Sequence, residues 1–338
     1  MSEKVTLELS GREVTISSPD KVFFPERGET KRDLIAYYEA VAGPLLAALG
    51  DRPVLLERHP DGAQGKSFFQ KRVPANAPDW LTTTEVRTVN GTASRALVLA
   101  DLAHVAWAVN LGCLGFHAWP SRGDDVEHSD ELRIDLDPQP GVTPAVLRDA
   151  ARALRALLTD DGLTGYLKTS GKRGLHVYVP LPPGTWTGYE VRAAAVAVAR
   201  ELERRHPDLL TAAWWKEERG ERVFVDFNQN APHKTVFGAW CARPRVEGQV
   251  STPVAWEDLD DLDPGALTIA TVPQRVDDRG DPWAGMRDAP QDLAPLLGRA
   301  RADQDAGLPD APWPPEYPKM PGEATRVAPS RAKGRDEG

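Results

Sequence analysis

Two aspartates one residue apart, Asp135 and Asp137 in ELRIDLDP, and a third, Asp226 in ERVFVDFNQN, are the residues of this chain best suited to chemistry. Side chains alternate along a strand, so Ile134 and Leu136 face one way while Asp135 and Asp137 face the other. Like charges that close repel each other, and at least one pKa rises unless a cation lies between them. Asp226 shares its face with Phe224 and is opposed by Val223, Val225 and Phe227, so it too needs a partner. Three carboxylates on neighbouring strands would form an oxygen-rich site for Mg²⁺ or Mn²⁺. Two such ions about 3.5–4 Å apart stabilise both the attacking and the leaving oxygen of a phosphoryl transfer. The plainer alternative is that Asp135 and Asp137 end an exposed strand and Pro138 opens a turn, and for an isolated DxD that is the commoner case.

The stretch KTSGKRGLHVYVP supplies the complementary charge. Ser170, Gly171 and Gly174 can present hydroxyl and backbone donors, and Lys172 and Arg173 carry positive charge, so this turn can cradle a phosphate. His176 follows on the next strand and can donate to a phosphate oxygen. Taken alone, the same residues also describe a solvated basic hairpin with a satisfied core histidine. Earlier, KSFFQKR sets Phe68 and Phe69 among Lys66, Lys71 and Arg72, a pattern that suits base stacking beside a phosphate-tracking groove. Against that, adjacent strand residues face opposite ways and cannot both line one groove.

The elements that must position these residues are legible in outline. TKRDLIAYYEAVAGPLLAALG reads as a helix with Thr30 as N-cap, Asp33 in the first turn and Gly50 past its end, kinked or split at Pro44. PVLLER and SRALVLA read as strands, with an Asn90–Gly91 turn before the second. From residue 131 the order is strand, helix, strand, strand, helix, strand. The first helix has Thr143 as N-cap, Pro144 at its first position and Gly162 as stop; the second covers residues 189–206. This order predicts an α+β fold with helices on a mainly antiparallel sheet. After about residue 265 regular signals thin, and the Pro- and charge-rich residues 301–338 read as a disordered tail.

Composition sets the bounds. The chain has 338 residues, 41% of them hydrophobic, enough for one large domain or two smaller ones sharing a core. Its two cysteines, Cys113 and Cys241, match no zinc spacing and make a poor disulfide framework, which points to a reducing compartment. No signal peptide and no apolar run of about 18 residues is present, so a membrane partner is not expected. A net charge of −9 argues at first against nucleic acid. The acidic residues, however, crowd EDLDDLD, DDRGDP and the C-terminus, while Lys21, Arg27, Lys31, Arg32, Arg52 and Arg58 dominate the early chain, so a locally basic groove remains open.

With DLD, SGKRGLH, FFQKR and VFVDFNQN present together, the sequence resembles the archaeo-eukaryotic primase superfamily, in particular the polymerase domain of bacterial ATP-dependent DNA ligase D, from about residue 15 to 285. The resemblance implies a primase-polymerase domain over 1–300. It would comprise an N-terminal α/β module of about 1–130, a catalytic module of about 131–265 akin to an RNA-recognition fold, and a C-terminal extension. It implies a nucleotidyltransferase using two Mn²⁺ or Mg²⁺ ions held by Asp135, Asp137 and Asp226. His117 in GFHAWP and His176 would contact the nucleotide, Ser170 and Arg173 its triphosphate, and Gln229, Asn230, Arg243 and Arg222 the triphosphate or sugar side. Arg173 stands where related domains often have Lys, and its guanidinium can hold phosphate bidentately. Phe68 and Phe69 would stack on a template or terminal base, and Lys21 and Lys31 would recognise a 5′-phosphate on downstream DNA. The implied task is addition of NTPs or dNTPs to a primer 3′-OH at short gaps or broken ends in non-homologous end joining, in the bacterial cytoplasm at the nucleoid. No KxDG ligase motif follows, so a stand-alone polymerase is expected, with ligation by a separate DNA ligase and Ku as a further partner. The alternatives are a primase that starts chains de novo and a non-catalytic DNA-end-binding module.

Overall fold

Alternation of apolar and polar side chains decides the second half of the chain. In the computed structural model, which describes residues 3–87, 92–244 and 247–313, the DLD strand Glu131–Pro138 buries Leu132, Ile134 and Leu136 completely while Asp137 is exposed. It lies mid-sheet, antiparallel to Leu175–Pro180 on one side and to Val223–Asp226 on the other. Tyr166–Thr169 extends the sheet beyond Leu175–Pro180, and the short strand Leu210–Thr211 runs parallel to Val223–Asp226 at the far edge. Taking the four longer strands in chain order, their order across the sheet is 2-3-1-4, with both crossovers made by helices, as in ferredoxin-like βαββαβ units.

The two crossover helices, Pro144–Asp160 and Gly188–Arg205, cover one face of this sheet. Thr143 caps the first by accepting from Val146 N–H, with Pro144 at its first turn. Thr187 and Glu190 form a capping box at the second. The apolar face of each helix is buried, with Leu147, Leu154 and Leu158 on the first and Val191, Val198 and Leu202 on the second.

The other sheet, largely antiparallel and the first in chain order, comes mainly from the first half of the chain. Its order is Val236–Phe237, Cys113–Ala118, Pro53–Arg58, Ala93–Val98, Thr83–Arg87, with Phe68–Gln70 added along Pro53–Arg58. Residues 30–50 form two helices rather than one bent helix: Lys31–Ala40, begun by the expected Thr30–Asp33 capping box, and Ala42–Leu49. The break falls at Val41, which leaves Pro44 in the first turn of the second helix, where its missing N–H costs nothing. The Asn90–Gly91 turn lies outside the described residues.

The thinning of signals after residue 265 does not mean loss of structure. Helices Val272–Arg279 and Ala294–Asp305 form, the second packed on Gly188–Arg205. The expected tail boundary at 301 is corrected accordingly: the helix crosses it, and Asp310–Trp313 docks on Arg192. The rest of the expected tail, 314–338, lies outside the described residues.

Buried charges lock the two sheets together. Arg52, fully buried, donates to Asp130 (2.5 Å) and Glu131 (2.6 Å) at the start of the DLD strand. Arg133 donates to Glu131 and to the carbonyls of Ala118 (2.7 Å) and Trp119 (3.0 Å) at the end of the first sheet's strand. Removing one partner of such a network strands the other charges in low dielectric. Arg52→Met should therefore lower the unfolding free energy by about 3–5 kcal/mol, read in urea as a lower midpoint with an unchanged slope; a loss within error of zero would contradict this role.

Candidate nucleotide and metal site

The sheet register sets four titratable side chains in one row. Asp135 pairs with Asp226 on one side and His176 on the other, and His176 pairs with Lys168. Paired residues point the same way, so Lys168, His176, Asp135 and Asp226 stand side by side. Asp137, two residues on and opposite Phe224, shares their face. That face looks toward the first sheet, because Arg133, two residues before Asp135, reaches the carbonyls there.

The carboxylates are short of positive partners. Burial, then Asp226 and Asp137, push Asp135 up to about 8. Burial raises Asp226 as well, against hydrogen bonds from Asn228 N–H (3.0 Å) and Gln229 Nε2 (2.8 Å). The same Gln229 amide lies 3.5 Å from Asp135 Oδ2, so a neutral group spans the pair. His176 Nε2 lies 3.4 Å from Asp135 Oδ1. Burial, then Lys168, Arg243 and Arg133, hold His176 far below its ordinary range, which leaves the imidazole neutral at pH 7. Its buried Nδ1 has no partner among the described residues.

The SGKRG turn beside this row is built by Ser170. Its hydroxyl accepts from the N–H groups of Lys172 (3.2 Å) and Gly174 (3.1 Å), and its own N–H donates to Gly174 O (2.9 Å). Gly171 is obligatory here: its φ is +72°, and a Cβ would meet Arg243 Cγ at 2.6 Å. Arg243 donates through Nε to Ser170 O at 2.7 Å and stacks on Phe237 at 3.6 Å. Burial brings its guanidinium down to about 10, still cationic at pH 7. Phe237 meets His117 edge-on at 5.1 Å, and His117 meets Phe69 edge-on at 5.4 Å. A chain of contacts therefore runs from Arg243, in the field of Asp135, through Phe237 and His117 to Phe69. Phe68 and Phe69 are 48% and 60% exposed. Both are open because their short strand is added to the sheet beside Pro53–Arg58 and pairs only there, but alternation separates them: Phe69 meets His117 and Phe68 lies under Arg58.

Three expected site residues are placed differently. Arg222 donates to the carbonyls of Arg219, Pro207 and Glu218, which turns its guanidinium away from the row. Asn230 is 1% exposed and its amide is consumed by the backbone N–H (2.8 Å) and carbonyl (2.6 Å) of Arg133, so it fixes the DLD strand instead of facing a ligand. Lys31 is 4% exposed, its ammonium taken up by Ser17 O and by Asn110. Burial, then Lys21, lowers it to about 8, which places the two lysines in each other's field. Lys21 is half-exposed and bonds Pro60 O (2.5 Å) and Asp61 (3.0 Å). Arg173 reaches Pro138 O at 3.3 Å, just beyond Asp137.

Other residues enter the site unannounced. Lys168 is fully buried and donates to Ser251 Oγ and Thr169 O. Its place in the row was accessible from the sequence, because a hairpin centred on Lys172 pairs residue 168 with 176. Glu57 orients His117 at 2.9 Å; burial would raise its carboxyl, but His117 and His59 outweigh this and hold it at about 2. Arg219 lies within the field of Asp226 and Asp137, stacked on Phe224 at 3.5 Å and donating to the carbonyls of Ala213 and Trp214. Nothing in its local sequence separates Arg219 from Arg222.

The sequence matches the family described as "LigD, primase-polymerase domain" over residues 30–283. The chain belongs to that family. The LigD relatives include the multifunctional non-homologous end joining protein LigD of Mycolicibacterium smegmatis, 35% identical over 90% of this chain and 40% of that protein. The bifunctional LigD of Bacillus subtilis is 32% identical over 82% of this chain and 44% of the relative. The polymerase domain of Mycobacterium tuberculosis ligase D, solved in complex with DNA, superposes with a TM-score of 0.77 at 32% identity, covering 82% of this chain and 99% of that one. The α+β reading of the sequence and the likeness to ligase D thus both hold. The chain spans about two fifths of the length of the curated LigD relatives it matches.

Among the described residues no three His, Cys, Asp or Glu side chains converge as a ready-made metal cage. The Asp135–Asp226 carboxylate pair would suit a hard divalent ion whose remaining ligands come from phosphate oxygens and water. Among the described residues no helix is long and apolar enough to cross a membrane.

The raised Asp135 pKa gives a signed expectation for chelated, metal-free protein. Its contribution to stability is fully present below the unfolded value near 4 and is lost as pH rises through about 8. Asp135→Asn, which cannot ionise, should melt higher than the parent at pH 8, and the gap should close toward pH 5. A gap that widened on acidification would contradict the assigned direction.

Proposed function

We propose that this chain is a nucleotidyltransferase that adds NTPs or dNTPs to a primer 3′-OH at short gaps or broken DNA ends, as part of non-homologous end joining. The observation that carries the reading is the cross-strand row of Asp135 and Asp226 beside His176, on the face lined by Arg243 and His117. Family membership and the DNA complex of the M. tuberculosis polymerase domain support it.

Asp135, Asp137 and Asp226 would hold two Mn²⁺ or Mg²⁺ ions, with phosphate oxygens completing the ligand set. Bound there, such ions neutralise a triphosphate and lower the pKa of the attacking hydroxyl. The protein's own groups do the positioning. Ser170 and the SGKRG backbone set the floor of the triphosphate site, and Arg243, packed against that turn, supplies positive charge. His176, held neutral, stands beside Asp135 with Nε2 3.4 Å from Asp135 Oδ1 and would contact the nucleotide from within the row. Phe69, packed on His117, offers a ring for base stacking, and Phe68, over Arg58 at 4.9 Å, offers a second.

DNA enters the same reading at Lys21, the exposed member of the pair. A 5′-phosphate arriving there would replace Asp61 as the anionic partner of Lys21, while buried Lys31 stays bonded to Ser17 O and Asn110 behind it. A DNA end bearing a 5′-phosphate is thus the expected substrate, and Ku is an expected partner, in the bacterial cytoplasm.

The deciding assay is extension of a labelled primer across a short gap with Mn²⁺, with and without a downstream 5′-phosphate. The parent should extend, Asp135→Ala should fall to background while still shifting the same DNA in a gel, and Lys21→Ala should lose the enhancement by the phosphate. Extension by Asp135→Ala at the parental rate would refute the assignment.

A further inference from the structure

The end of the described chain reaches the back of the carboxylate site. After helix Ala294–Asp305, residues 309–313 run along helix Gly188–Arg205, where Arg200 donates to Pro309 O at 2.5 Å. There they enclose Arg192, which is 1% exposed. Its guanidinium donates to Asp310 Oδ1 (3.0 Å), Ala311 O (2.7 Å) and Pro312 O (3.2 Å), and lies 3.8 Å from the Trp313 ring. Trp313 donates through Nε1 to Asp310 at 2.6 Å and also packs against Tyr189.

The other side of Arg192 faces the turn that follows Asp226. Its Nε donates to Asn228 Oδ1 at 2.9 Å, and its guanidinium lies over Phe227. The Asn228 amide in turn donates to Pro312 O at 3.2 Å, so Asn228 is held from both sides. Asn228 is the residue whose backbone N–H donates to Asp226 Oδ1, and the next residue, Gln229, donates to Asp226 Oδ2 and spans to Asp135. Between the strap and the carboxylate there are only two side chains, both buried.

We infer that residues 309–313 form a positioning strap that, through Arg192 and Asn228, sets the orientation of the Asp226 carboxylate. This goes beyond the matched family region, which ends at residue 283. It deepens the proposed function, on which its catalytic consequence rests. No hydrogen bond or ring contact joins the strap to Asp135, Ser170, His176 or Arg243, so at saturating Mn²⁺ nucleotide binding should be spared. Groups that orient a metal ligand at second hand typically change metal affinity or activity by about 10–100-fold.

The test uses the full chain with Asp310→Ala and Trp313→Ala combined, and Trp313→Phe as the conservative partner that keeps a ring over Arg192. Three quantities are read: deuterium uptake by the 226–230 backbone, the Mn²⁺ concentration for half-maximal extension, and kcat and KM for the nucleotide. In the double variant, faster exchange at Asn228, a Mn²⁺ requirement raised about tenfold and kcat lowered about tenfold, with KM nearly unchanged, are expected. Trp313→Phe should restore all three. Unchanged exchange at Asn228 in a folded double variant would overturn the strap, whatever the activity. Faster exchange with no extension even by the parent would leave the strap standing and overturn the polymerase reading instead. A double variant that fails to fold is answered by Trp313→Ala alone, where unchanged exchange at Asn228 again overturns the strap.

Discussion

Asp135 and Asp226 stand directly opposite each other on paired antiparallel strands, which is among the least favourable placements two carboxylates can have. Burial compounds the cost, because neither charge is well solvated. The fold keeps them there by burying the apolar face of the DLD strand and pairing both of its edges. Leu132, Ile134 and Leu136 are fully buried beneath two helices, and a neighbouring strand binds each edge. A one-residue slip would turn Asp135 into the core and expose the leucines, so register is fixed by burial. The repulsion is then held on a rigid surface.

Much of the remaining architecture supports that surface. The first sheet is held over it by Arg52 and Arg133, whose ion pairs and carbonyl contacts leave no room for the two sheets to slide. Across the gap, Arg243 joins the SGKRG turn to Phe237 and so to His117, which brings residues from both halves of the chain to one lining. Behind Asp226, Asn230 ties the following turn to the backbone of Arg133. Groups that contact substrate on this reading come from strands and a tight hairpin, where packing locks them more firmly than a long loop would.

The parts of this arrangement that sequence reveals are those governed by short-range rules. Alternation in ELRIDLD gave the strand and the side on which its aspartates lie, and Thr143–Pro144 and Thr187–Glu190 marked both crossover helices. The split after Ala40 followed from Pro44, though the break itself fell three residues earlier. What local pattern could not give is where a long side chain ends. Arg219 and Arg222 lie three residues apart in one charged segment, yet one lies in the field of the carboxylates and the other is spent on carbonyls. Asn230 and Gln229 are adjacent amides with opposite uses, decided by which one meets the backbone of Arg133. The docking of residues 309–313 depends on Arg192, more than a hundred positions earlier, and Pro and Asp there read locally as tail.

The central claim is that the protein supplies only part of a metal site, the carboxylate row, and that a triphosphate supplies the rest. It is tested most directly by titrating Mn²⁺ and following free ion by electron paramagnetic resonance, with and without a non-hydrolysable nucleoside triphosphate, on the parent and on Asp226→Asn. The account predicts weak uptake by the parent alone, strong uptake when protein and triphosphate are both present beyond what the triphosphate binds by itself, and loss of that excess in Asp226→Asn. Equal uptake by both proteins under both conditions would contradict it.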